Sequence, residues 1–195
     1  MPSQLNVLLF GPQGSGKGTQ AKRIAAEYDI PHVSTGDMFR DAIATQTPLG
    51  LRVKPILDAG ELVPDELTIG LIRERIGAPD AHDGFVLDGF PRNIAQAEAL
   101  DDLLGELDRP LTAVLEFLIP DELCIERLLG RAADEGRADD APEAIARRLE
   151  IYHRETEPLS EHYRSTGKLV GVHADRSMDE VWAEIQQTLE QAVPA

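Results

Sequence analysis

The chain has 195 residues, enough for one substantial hydrophobic core and too few for two comfortable domains joined by a linker. Its 35 acidic and 19 basic residues give a formal net charge of −16, a field that repels polyanions and speaks against a general nucleic-acid or anionic-membrane binder. No apolar run approaches the roughly 18 residues a membrane helix needs, and the first apolar run has no basic residue before it, so neither a membrane span nor a signal peptide is expected and the expected location is cytoplasmic.

In chain order, apolar or β-branched runs occur at LNVLLF (5–10), HVS (32–34), GFVLDG (84–89), LTAVLEFLI (111–119) and KLVGVHA (168–174), with helix-like stretches between them. Strands alternating with helices predict parallel β-α units, and so an α/β fold with a five-stranded parallel sheet covered by helices on both faces. The first, third and fourth runs are nearly continuous in apolar residues, as strands buried on both faces require. Pro64 and Asp65 open a helix whose apolar stripe reads Leu67, Leu71 and Ile72 and which ends near Gly77. Pro120 and Asp121 open another, DELCIERLLG, in which the single cysteine, Cys124, is expected to be a buried structural thiol. In the last helix Val181, Ile185 and Leu189 recur at one face, and Asp179 and Glu180 suit its N-terminal turn.

Two segments break the alternation. Residues 34–63 read as two short helices, and residues 130–140 (GRAADEGRADD) are polar and carry two glycines. Both are expected to be excursions from a single domain spanning 1–195. Only four of the basic residues are lysines, Lys17, Lys22, Lys54 and Lys168. An acidic, lysine-poor surface suits a salty medium, where screening relieves self-repulsion.

After the first apolar run, GPQGSGKGT supplies a phosphate-binding loop: Gly14, Ser15, Gly16, Lys17, Gly18 and Thr19 can wrap a polyphosphate with backbone N–H groups, a helix N-terminus and one charged amine. The common pattern G-x-x-x-x-G-K-[ST] is broken by Gly18, with Thr19 following. Such a loop implies a nucleoside triphosphate and leaves the acceptor open. Moving a γ-phosphoryl group between anions requires in-line positioning and cations more than covalent participation. Arg40, Arg92, Arg127, Arg131, Arg137 and Arg148 stand out in that light, in an otherwise acidic chain.

Three further segments, STGDMFR (34–40), DAGELVPDE (58–66) and LDGFPRNIAQ (87–96), join the loop. In this order the four resemble the nucleoside monophosphate kinases, and specifically the adenylate kinase family, over residues 5–192. The resemblance implies a P-loop kinase fold in which residues 34–63 form a monophosphate-binding insert and 130–140 a short lid, both closing over substrates. It implies reversible, magnesium-dependent transfer from ATP to AMP giving two ADP. It places Thr35, Arg40, Glu61, Leu62, Val63, Gly89, Phe90, Pro91, Arg92 and Gln96 at the AMP site, Arg40 and Arg92 clamping its phosphate bidentately and Gln96 facing an adenine edge. Arg127 would meet the ATP phosphates, Arg131 cover the ATP adenine, Arg137 and Arg148 close on the transferring group, and Arg176 contact ATP. Asp88 would hold magnesium through water, with no direct protein ligand. The short segment between Arg131 and Arg137 implies no structural zinc. A monomer with ATP, AMP and ADP as partners, and with no nucleic acid or membrane, is expected. Many family members have proline where this chain has Gln13. A UMP/CMP kinase of the same fold and a non-catalytic nucleotide sensor are the rival readings; Gln96 argues against the first, the retained Lys17 and arginines against the second.

Overall fold

The structure, a computed structural model, describes residues 4–135 and 141–192. Strand β1 (Leu5–Phe10) lies at the centre of a parallel sheet, between β3 (Gly84–Asp88) and β4 (Ala113–Leu118), with β2 (His32–Ser34) and β5 (Leu169–His173) outermost in the order β2-β3-β1-β4-β5. Every residue of β1 and β3 is buried, which is why these runs read as unbroken apolar stretches.

Alternation along β1 feeds two cores. Leu8 and Phe10 join Phe85, Leu87, Leu100, Leu104 and Tyr163 under α4 (Asp65–Ile76), α5 (Ile94–Glu106) and α8 (Leu159–Arg164). Val7 and Leu9 join Val86, Leu115, Ile24, Val181, Ile185 and Leu189 under α1 (Lys17–Tyr28) and α9 (Met178–Ala192). Because the strands are parallel, the loops after Phe10, Ser34 and Asp88 leave the sheet at one edge, where this class of fold builds its sites.

The segment 34–63 contains α2 (Thr35–Ala44) and α3 (Pro48–Asp58), as its sequence suggests. Ser34 caps α2 by accepting from the Asp37 N–H at 3.3 Å, and Thr47 caps α3 by accepting from the Gly50 N–H at 3.1 Å. The two helices cross backbone to backbone: a Cβ on Gly50 would lie 2.0 Å from the Ala42 carbonyl oxygen. They enclose a small core of Phe39, Val53 and Val63.

Helix α4 departs from the expected stripe. Its buried face is Thr68, Ile72 and Ile76, while Leu67 and Leu71 turn toward the Phe39 cluster. One helix thus serves two cores, and a single apolar stripe was the wrong template for it. Helix α6 (Asp121–Glu135) continues through Gly130, so the polar segment there starts as helix. Cys124 is fully buried, and burial pushes its thiol up to about 11, so it stays protonated and inert at neutral pH. After α7 (Pro142–Ile151) the chain forms a π-turn over Tyr152–Thr156, closed by the Glu157 N–H donating to the Tyr152 carbonyl at 2.9 Å. Among the described residues no helix is long and apolar enough to cross a membrane.

Candidate active site

The loop between β1 and α1 needs glycine for two different reasons. Gly16, the residue before α1, has φ +89° with open space around it, so only its backbone conformation excludes a side chain. Gly14 has φ +84°, and a Cβ there would also lie 2.7 Å from the carbonyl oxygen of Cys124 on α6. The loop is therefore braced against the helix that carries Arg127 and Arg131. Lys17 curls back into the cradle, donating to the carbonyls of Gly11 and Pro12 at 2.8 Å each and to the Ser15 hydroxyl at 3.2 Å. Burial lowers its amine to about 8, against the pull of Asp88 and with the repulsion of Arg92 and Arg148 adding to the fall.

Asp88, at the end of β3, is 9% exposed and points at Gly18: a Cβ on that glycine would sit 3.5 Å from Oδ2. The glycine that breaks the common loop pattern thus faces the carboxylate. His32 Nε2 lies 3.3 Å from the same oxygen. No cluster of three or more histidine, cysteine or acidic side chains able to hold a metal occurs among the described residues. One carboxylate at the phosphate cradle nevertheless fits magnesium, which keeps most of its waters and takes phosphate oxygens.

A cavity of about 350 Å³ runs from this loop across Asp88, Gly89, Pro91, Arg127 and Arg131. A second, of about 260 Å³, lies under α2 and α3, with Ile43, Leu57 and Leu62 as its apolar wall. Arg40, Arg92 and Arg148 line both. Arg40 donates to Asp37 at 2.6 Å; burial works to raise the Asp37 carboxyl, but the hydrogen bond and charge of Arg40 outweigh it and hold the group below its usual range.

Arg92 is fixed by its own turn. Its Nε donates to the Gly89 carbonyl at 2.7 Å, its backbone N–H to Gln96 Oε1 at 2.8 Å, and its carbonyl accepts from the Thr156 hydroxyl at 2.6 Å. Gly89 has φ +80°, and a Cβ on it would come within 3.0 Å of the Thr35 hydroxyl and 3.2 Å of Arg92 Nη2. Thr35 in turn donates to the Gly89 carbonyl at 2.9 Å.

Several other expected residues stand behind the cavity walls. Gln96 is 2% exposed, and its amide is engaged at both ends, Oε1 with Arg92 and Nε2 with Asp65 at 2.7 Å. These bonds orient the arginine turn, and Gln96 is not among the residues lining the second cavity. Val63 and Phe90 are packed in the cores, and Thr35 is buried. Glu61 lines the second cavity with its carboxylate paired to Arg147 on α7 at 2.7 Å. Arg127 donates to the Ala174 carbonyl at 3.0 Å. Arg176 is half exposed, 3.8 Å from Glu184, and lines neither cavity. Arg137 lies outside the described residues.

The sequence reading missed the apolar wall of Ile43 and Leu57, Lys54 on the same cavity, and Tyr152 and Thr156 of the π-turn, which line the larger one. Two of these had a signal, since Ile43 and Leu57 are large apolar residues in the short helices of the segment read as an excursion from the core.

A parallel sheet with a glycine-and-lysine phosphate loop after its first strand, facing a second cavity across shared arginines, defines a P-loop fold built to hold two anionic ligands. Comparison with known proteins narrows this class. The family model described as adenylate kinase matches residues 9–168. The chain is 49% identical over 185 residues to an adenylate kinase of a Cyanothece species, covering 95% of each. It is 46% identical over 185 residues to the adenylate kinase of Xanthomonas euvesicatoria, covering 95% of this chain and 99% of that one, and 46% identical over 181 residues to that of Stenotrophomonas maltophilia, covering 93% and 97%. The chain belongs to the adenylate kinase family.

Proposed function

We propose that the chain transfers the γ-phosphoryl group of ATP to AMP, reversibly, giving two ADP. The observation that carries this reading is the placement of Arg40, Arg92 and Arg148 on the walls of both cavities, where a group passing from one nucleotide to the other would meet them. Family membership supports the same reaction over the UMP/CMP and sensor alternatives.

The donor triphosphate lies on the loop from Gly14 to Thr19. Lys17 leaves the Gly11 and Pro12 carbonyls for its phosphates, and Arg127 and Arg131 flank it from α6. The acceptor lies in the second cavity, its base against Ile43, Leu57 and Leu62 and its phosphate between Arg40 and Arg92. An AMP phosphate oxygen attacks the γ-phosphorus in line; the new P–O bond forms as the bond to the β–γ bridging oxygen breaks, and that electron pair stays on the departing ADP. The nucleophile is already ionised at neutral pH, so no general base is required. The guanidiniums stabilise charge spread over the equatorial oxygens. Magnesium, when bound with ATP, neutralises phosphate charge, and Asp88 is the side chain that would hold its waters.

Residues 34–63 act as the monophosphate-binding insert and 130–140, with Arg137, as the short lid; their closure excludes water that would otherwise accept the phosphoryl group. The enzyme works as a cytoplasmic monomer. The test supplies ATP and magnesium with AMP, CMP, UMP or GMP and follows diphosphates by phosphorus NMR. ADP formation fastest with AMP is expected; faster turnover of UMP or CMP, or none with AMP, would refute the assignment.

A further inference from the structure

Gln13 is the one loop residue whose role neither the phosphate cradle nor the family pattern explains. It is half-buried and lines both cavities. Its Oε1 is buried and has no hydrogen-bond donor among the described residues. Buried polar atoms are nearly always paired, so an orphan at a site edge marks a partner that arrives later.

The company it keeps says which partner. Gln13, Gly36, Arg40, Arg92 and Arg148 are the residues common to both cavities. The arginines carry only donors and full positive charge; Gly36 carries no side chain. Gln13 alone brings a neutral group with two N–H donors and an acceptor. The three guanidiniums already supply positive charge at this junction, and a neutral donor adds direction to it.

Resting on the phosphoryl-transfer reading above, we infer that Gln13 is a catalytic residue that touches the group in transit: its Nε2 donates to an oxygen of the transferring phosphoryl, and Oε1 accepts a guanidinium N–H as the site closes. The carboxamide would then tie one arginine fork to the oxygen it must meet, and the orphaned carbonyl would be satisfied only in the closed, substrate-bound enzyme.

The experiment compares Gln13→Met, which keeps length and removes both hydrogen-bonding functions, with Gln13→Glu, whose ionised form repels phosphate. For Gln13→Met, kcat is expected to fall about 10- to 100-fold with KM for ATP and AMP changed less than about threefold. For Gln13→Glu, whose carboxyl stays ionised from about pH 8 to about pH 5.5 among Arg40, Arg92 and Arg148, kcat is expected to fall at least as far as in Gln13→Met throughout that range. Wild-type kcat in Gln13→Met or in Gln13→Glu would overturn the role of Gln13; the second variant keeps the test standing even if the methionine variant fails to fold. Wild-type ADP formation is the reference: its absence would overturn the phosphoryl-transfer reading, whereas normal wild-type turnover with unaltered variants overturns the role of Gln13 alone.

Discussion

Replacing Arg92 by lysine separates binding chemistry from fold. The backbone of Arg92 is held by Gln96 at its N–H and by Thr156 at its carbonyl, and neither contact involves the side chain. The substitution therefore leaves the turn anchored and removes, among what the side chain provides, the Nε–Gly89 hydrogen bond at 2.7 Å and the planar fork. The first has a charged donor, and its loss costs about 1.5 kcal/mol of stability, which for a chain of this size lowers Tm by about 3–6 °C. The second replaces a bidentate, charge-assisted grip on phosphate by a point charge, a loss of about 1.5–3 kcal/mol in the transition state. That converts to about a 10- to 150-fold fall in kcat/KM for AMP. Initial rates of ADP formation over a range of AMP concentrations, with a thermal melt of the same preparation, read both quantities. Activity within about threefold of wild type would refute the clamp. A melt depressed by more than about 8 °C would show that Arg92 is first a structural residue.

Three other outcomes follow from the same geometry. Because burial holds the Lys17 amine at about 8 and bound phosphate raises it, ATP binding at pH 8 should take up about half a proton. At pH 6 the amine is already charged and uptake should vanish; calorimetry in buffers of different ionisation enthalpy reads this, and equal uptake at both pH values would exclude Lys17 as its source. Gly14→Ala should destabilise more than Gly16→Ala, since both strain a positive φ by about 1–3 kcal/mol but only the first drives a Cβ into the Cys124 carbonyl at 2.7 Å; equal urea midpoints would contradict this. With a net charge of −16, Tm should rise as KCl goes from low to molar concentration, and a flat curve would remove self-repulsion as a factor.

What was legible in the sequence was what local chemistry dictates. The sheet was readable because strands buried on both faces admit almost nothing polar, as LNVLLF shows. The phosphate loop was readable because Gly14 and Gly16 are demanded by backbone angles that few other residues tolerate. Arg92 was readable from its motif, and its turn is locked by Gly89 and Gln96 a few residues away. The rest depends on contacts between distant segments. That Asp65, far off in sequence, holds the Gln96 amide could not be read from the motif. The second cavity's apolar wall depends on α2 and α3, which cross at Gly50. Leu67 and Leu71 read as part of one stripe because nothing local reveals that α4 borders a second core.

The most direct test of the central claim supplies ADP and magnesium alone. An enzyme with adenine-nucleotide sites on both sides of the shared arginines uses one ADP as donor and another as acceptor, so ATP and AMP should appear in equal amounts until equilibrium. Unchanged ADP, or AMP accompanied by inorganic phosphate in place of ATP, would contradict the account.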